Sequence, residues 1–188
     1  KTAGDAPDVL VALNPAALKV NLDDLVPGGM IIADTGAFTD RNLKKAGFDA
    51  NPFENGSLDS YQVIAVDITA LTLEAVKPHG LSQKEAARCK NMWSLGLVYW
   101  IYDRDRDPSA AWLNRRFAAR QEIAESNIAA INAGHAYGET MEVSAGNAHA
   151  FSVAPAKIEP GLYRTVTGIE ALSWGIIAGA GFAGLRTT

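Results

Sequence analysis

Asn14, Asp34 and Asp67 each end a short apolar run: Val9-Leu10-Val11-Ala12-Leu13, Met30-Ile31-Ile32-Ala33 and Val63-Ile64-Ala65-Val66. Two carboxylates at such stops could do paired acid–base work, although nothing in the sequence fixes their separation. A second polar group, Lys90-Asn91, interrupts an apolar stretch that includes Met92, Trp93, Leu95, Leu97, Trp100 and Ile101. A lysine there could pair with phosphate as a point charge, or be an ordinary solvated cation. An asparagine buried in that helix must find hydrogen-bond partners, either in neighbouring backbone or in a ligand. Cys89 lies between Arg88 and Lys90, which could lower its pKa. Its other neighbours are those of a core helix, so a structural thiol is the better reading.

The elements that must position these residues follow from local pattern. The apolar runs are short and partly β-branched, as in strands of a parallel sheet buried on both faces. Strands are expected at about 8–14, 29–34 and 61–66. Asn14, Asp34 and Asp67 then share the carboxyl edge of the sheet, where open α/β sheets bind ligands. Pro15 suits the first turn of a helix after Asn14. A second helix fits 39–46, with Thr39 as N-cap and Gly47 as stop. Asn51-Pro52 and Glu54-Asn55-Gly56-Ser57 read as turns.

The middle of the chain is helical. Ser82 and Glu85 form a capping box before a stretch from Lys84 to about Asp103, whose apolar positions surround most of the helix. Arg104-Asp105-Arg106-Asp107-Pro108 ends it. Two further helices fit 109–119 and 120–134, the second carrying Ile123, Ile128 and Ile131 at core spacing. From Gly138 to Tyr163 the sequence looks extended, as Glu142-Val143-Ser144, Phe151-Ser152-Val153 and the Pro155 to Pro160 stretch. Thr167 and Glu170 make another capping box, opening a helix from Gly168 to about Gly184. Ala171, Gly175 and Gly179 give it a small-residue face. The apolar segment Ile169 to Leu185 is short for a membrane span and reads as a buried helix. It needs a partner that this sequence does not supply, so a second domain is expected to begin here.

Composition narrows the chemistry. A formal net charge of −4 argues against nucleic acid or an anionic membrane as the main partner. One cysteine rules out an internal disulfide and a cluster ligated by cysteines of these residues alone. His79, His135 and His149 have no metal-ligand spacing, so no metal site is expected. No signal peptide is visible, and the sequence opens on Lys1 rather than Met. There is no Gly-x-Gly-x-x-Gly after the first strand, no Walker A run and no Gly-x-Ser-x-Gly elbow.

The run Val9 to Leu18 followed by Gly28-Gly29-Met30-Ile31-Ile32-Ala33 resembles the gamma-type domain of 2-oxoacid:ferredoxin oxidoreductases. The resemblance continues through Arg41-Asn42-Leu43, Leu71-Thr72-Leu73-Glu74-Ala75 and Lys90 to Leu97. It extends through Glu122 to Asn127 and Ala133 to Thr140. It is greatest to the alpha subunit of the two-subunit 2-oxoglutarate type, in which a gamma domain is fused ahead of a thiamine-pyrimidine domain. The resemblance implies an α/β fold: a gamma-type open sheet with flanking helices, then an extended linker and the first helix of a second α/β domain. It divides the chain into a gamma-type domain at 1–138, a linker at 139–162 and the start of the pyrimidine domain at 163–188. The family's first strand and glycine-rich loop would precede Lys1. Gly161 to Gly168 resembles the pyrimidine-domain entry, with Ile169 where the family usually has Asn. The Tyr-Pro-Ile-Thr-Pro loop beside the thiamine ring would follow Thr188.

The implied activity is oxidative decarboxylation of a 2-oxoacid, most specifically 2-oxoglutarate, to acyl-CoA and CO2 with reduction of ferredoxin. The implied assembly is a cytoplasmic dimer of alpha–beta pairs. Thiamine diphosphate, Mg2+ and a [4Fe–4S] cluster would sit mainly on the beta subunit, and coenzyme A would be co-substrate. The gamma domain would cover the active site and help to hold coenzyme A, with Asn14, Lys90 and Asn91 near it and no catalytic residue assigned. These residues alone are expected to be inactive. The contrasting reading is a non-catalytic gamma-like module for coenzyme binding or assembly.

Overall fold

The computed structural model describes residues 6–145, 151, 153 and 157–184. Residues 1–153 form one compact unit and residues 154–188 a second.

The first unit is built on a three-stranded parallel sheet in the order β1-β2-β3. Its strands are β1 (Val9–Ala12), β2 (Met30–Asp34) and β3 (Gln62–Val66). Val9 pairs with Met30 and Ala12 with Ala33, while Asp34 pairs with Val66. Helices α1 (Pro15–Asn21), α2 (Asp40–Lys45) and α3 (Ile68–Val76) follow the strands. Successive side chains of a strand point to opposite faces, and the two cores obey that rule. Met30, Ile32 and Val66 pack with Trp93 and Leu97 in one core. Ile31, Ala33 and Ala12 pack with Leu18, Leu25 and Leu43 in the other. All five residues of β2 are buried.

The strand expectation therefore holds in full for the central strand. It is too generous for β3, where Gln62, Val63 and Ala65 are exposed, because that strand is an edge among the described residues. The ladder of β1 stops at Ala12, short of the expected 14, because Asn14 already caps α1.

Past α3 the first unit is helical. The expected helix from Lys84 to Asp103 is broken: α4 (Gln83–Ala86), a 3-10 turn over Ala87–Cys89, then α5 (Lys90–Ile101). The Ser82–Glu85 capping box forms as read. Helices α6 (Asp107–Arg116) and α7 (Gln121–Ala145) follow. Helix α7 corrects the extended reading of this stretch: Glu142-Val143-Ser144 are helical, and so are residues 139–145 as a whole. Gly138, where the extended stretch was expected to begin, instead makes room for a neighbour. A Cβ there would lie 2.5 Å from the Trp100 ring. No proline interrupts the run, so the helix continues. Of the other segments read as extended, Phe151 hydrogen-bonds through its N–H to the Ile101 carbonyl at 3.3 Å. Ser152 and residues 154–156 lie outside the described residues.

Helices α5 and α7 approach so closely that side chains are excluded. A Cβ on Gly96 would overlap the Ile131 carbonyl oxygen and lie 2.8 Å from its carbon. A Cβ on Gly134 would overlap the Trp93 carbonyl oxygen in the same way. Only glycine permits such backbone contact.

In the second unit, α8 (Gly168–Phe182) begins with the expected Thr167–Glu170 capping box. Its apolar side chains, including Ile169, Leu172, Trp174 and Ile177, are exposed. The burial expected from their composition is not met within this chain. Among the described residues, no helix is long and apolar enough to cross a membrane.

Candidate functional site

The carboxyl edge of the sheet carries one buried charge. Asp34 ends β2 and is fully buried. Its Oδ1 accepts the Thr69 N–H at 3.0 Å, and its Oδ2 accepts the Thr69 hydroxyl at 2.6 Å. The Lys90 ammonium lies 3.4 Å from the same Oδ2 and donates to the Leu13 carbonyl at 3.5 Å. A buried carboxylate must be paired and hydrogen-bonded, and here both conditions are met. The cluster joins the ends of β1 and β2 to the first turns of α3 and α5. Lys90 can reach the edge because it opens α5 after the 3-10 turn.

Asp67 stands at the same edge but does other work. It is the N-cap of α3, its Oδ1 accepting the Ala70 N–H at 2.9 Å. The loop after β2 lies against it, since a Cβ on Gly36 would be 2.9 Å from the Asp67 Cγ. Both carboxylates are thus engaged with backbone amides. The arrangement does not support paired acid–base work by Asp34 and Asp67.

Asn14 caps α1, with Oδ1 accepting the Ala17 N–H at 2.9 Å, and is exposed. It lines a cavity of about 270 Å3 together with Pro15, Ala16, Asn42, Lys45 and Ala46. The cap leaves the Asn14 amide nitrogen as a donor, and Lys45 supplies a cation on the same wall. Asn91 is exposed rather than buried in its helix, which corrects the expectation of a buried amide. It is not among the residues lining the cavity beside Asn14. The structure therefore brings Lys90 to Asp34, gives Asn14 a different cavity and leaves Asn91 at the surface.

Thr69, Asn42 and Lys45 were missed by sequence reasoning. Thr69 had a legible signal, because it follows the Asp67 cap by two residues and so must lie in the first turn of α3. Asn42 and Lys45 had none beyond their helix.

Cys89 is buried and burial pushes its thiol up. Its Sγ donates to the Glu85 carbonyl at 3.8 Å. The flanking Arg88 and Lys90 do not make it a thiolate, and the structural reading stands. His79 and His135 lie near Glu125 and Glu139, at 3.7 and 3.1 Å. His149 lies outside the described residues. Among the described residues, no group of His, Cys, Asp or Glu could hold a metal ion.

The family profile described as "Pyruvate ferredoxin/flavodoxin oxidoreductase" matches residues 1–137. The chain belongs to this family. Within the family, it is 48% identical over 184 residues to "2-oxoglutarate oxidoreductase subunit KorA" of Mycobacterium tuberculosis, which covers 98% of this chain and 28% of that protein. It is 24% identical over 199 residues to "2-oxoacid:ferredoxin oxidoreductase 1, subunit alpha" of Aeropyrum pernix, covering 92% of this chain and 30% of that one. The chain thus spans less than a third of the length of these curated relatives. A solved structure shares the fold: the 2-oxoglutarate:ferredoxin oxidoreductase from Magnetococcus marinus, with 2-oxoglutarate, coenzyme A and succinyl-CoA bound. The TM-score is 0.53 at 21% identity, over 74% of this chain and 21% of that one.

Proposed function

We propose that these residues are part of the alpha subunit of a 2-oxoglutarate:ferredoxin oxidoreductase. The observation that carries this is the 48% identity to the KorA subunit across nearly the whole chain. The reaction would convert 2-oxoglutarate, coenzyme A and oxidised ferredoxin to succinyl-CoA, CO2 and reduced ferredoxin. Thiamine diphosphate would supply the electron sink for decarboxylation, and a [4Fe–4S] cluster would pass on single electrons. The donor set here does not fit the cluster, since Cys89 is one buried thiol. Cluster, diphosphate and Mg2+ are therefore assigned to a beta subunit, in a cytoplasmic dimer of alpha–beta pairs.

Coenzyme A fits these residues better. The cavity beside Asn14 offers an amide donor and the Lys45 ammonium to an anionic phosphate tail. Asn14 is retained as a coenzyme-proximal residue. Lys90 acts on the site by fixing the strand ends through Asp34. Asn91, being exposed, is available only to a ligand or partner lying on the surface. The gamma-type domain is proposed to end where α7 ends rather than at 138, with the pyrimidine domain beginning near the capping box of α8.

The test is turnover by the full-length protein purified with its partner chain. Reduction of ferredoxin should require both 2-oxoglutarate and coenzyme A. Activity with pyruvate and none with 2-oxoglutarate would reassign the substrate. Purification without a partner and without activity on any 2-oxoacid would leave the non-catalytic assembly module.

A further inference from the structure

We propose that a cavity on the helical side of the first unit is a binding site for a small monoanion: a carboxylate on a compact apolar body. The cavity, of about 240 Å3, lies between the α4 region and the junction of α6 with α7. The proposal does not rest on the oxidoreductase reading, and its residues are separate from the Asp34–Lys90 cluster.

The walls have two characters. Leu81, Phe117 and Ile123 supply apolar surface, and the buried Cys89 thiol adds to it. The charged residues are Glu85, Arg88 and Arg120. Glu85 and Arg120 are committed to each other at 2.9 Å, and Arg120 also holds Glu122 through Nε at 2.9 Å. The Glu85 carboxyl is held down to about 2 by its Ser82 and Arg120 hydrogen bonds, so it stays ionised and occupied. Arg88 has no ion pair among the described residues.

Glu85 and Arg120 thus line the cavity as an ion pair, Glu122 engages Arg120 beside it, and Arg88 is the guanidinium on the cavity wall without an ion pair among the described residues. Such a fork matches a carboxylate in bidentate fashion. The apolar wall would bury the remainder of the ligand, as small-molecule sites usually do around a few polar groups. One guanidinium without an ion pair matches one carboxylate.

The test uses the full-length protein, benzoate as probe and amide NMR shifts as readout. Benzoate should shift the signals of Leu81, Phe117 and Ile123, with a dissociation constant of roughly 1 mM or tighter for a ligand of this size. Benzamide, the neutral isostere, should bind at least tenfold more weakly. Arg88→Gln should weaken benzoate at least tenfold while leaving the rest of the spectrum unchanged, and Arg88→Lys should restore part of the binding. Absence of shifts at saturating benzoate, equal binding of benzamide, or unchanged binding to Arg88→Gln would each overturn the proposal. Arg88 is exposed, so its substitution leaves the fold in place for the comparison.

Discussion

The Lys90 ammonium and the Asp34 carboxylate meet 3.4 Å apart, although 56 residues separate them in the chain. Asp34 is fully buried, whereas the Lys90 side chain keeps 28% of its exposure. The pair is therefore unsymmetrical. Lys90 can recover water if its partner is lost, but Asp34 cannot.

That asymmetry sets the expected cost of removing each side. Lys90→Met leaves a fully buried carboxylate without its cation. It should destabilise by about 3–5 kcal/mol, the range for breaking a buried pair. Asp34→Ala removes the acceptor of two Thr69 donors but lets Lys90 turn to water. Its cost should be smaller, about 1–3 kcal/mol. Urea midpoints of the two variants and of the double variant measure both costs and the coupling. Equal costs would show that Lys90 recovers no water when its partner is lost.

Gly96→Ala and Gly134→Ala should each destabilise the first unit by about 1–3 kcal/mol or more, because the new methyl meets backbone that cannot turn aside. Gly175→Ala in α8 is the control. A Cβ there meets nothing within 4 Å, so the substitution should gain about 1 kcal/mol of helix stability. Thermal unfolding followed by circular dichroism distinguishes the two signs.

Glu85 ties stability to pH. Its carboxyl lies at about 2, down from the ordinary value of 4.5, through Ser82 and then Arg120. A depressed carboxyl contributes stability above its unfolded pKa and loses it as pH falls through the folded one. The gap in stability between wild type and Glu85→Gln should be constant above pH about 4.5 and close as pH approaches about 2. A gap that does not change across this window would detach Glu85 from the acid response.

Cys89 should be a silent thiol in the folded chain. Burial raises its pKa and removes access together. Labelling by a disulfide reagent at pH 8 should be roughly 100-fold slower than in urea, since reaction waits on opening. Rapid native labelling would mean that the α4–α5 junction opens locally.

Asn14 separates structure from binding. Asp is as good an N-cap as Asn, so Asn14→Asp should leave stability within about 0.5 kcal/mol. It would also remove an amide donor and add negative charge beside the cavity shared with Lys45. In the oxidoreductase proposed above, the KM for coenzyme A should rise several-fold with kcat little changed. An unchanged KM would remove Asn14 from the coenzyme path.

Local chemistry determined much of this protein from its sequence alone. The three apolar runs with polar stops gave parallel strands whose ends share an edge, because alternation and length are properties of short segments. The caps at Thr39, Ser82 and Thr167 were legible because each joins residues three positions apart. The long collinear resemblance gave the family.

Tertiary structure alone decided where the polar residues work. Lys90 reaches Asp34 only because a 3-10 turn resets the helix before it. Asn91, one residue on, points to water for the same reason of helical phase. The sequence suggested a helix over 120–134 and an extended stretch from Gly138, yet α7 runs through Gly134 and Gly138, because the gain from backbone packing against α5 outweighs glycine's entropy cost. Partners remote in sequence leave no mark on either segment alone, so neither the ion pair nor the helix crossing could be read before the chain was folded.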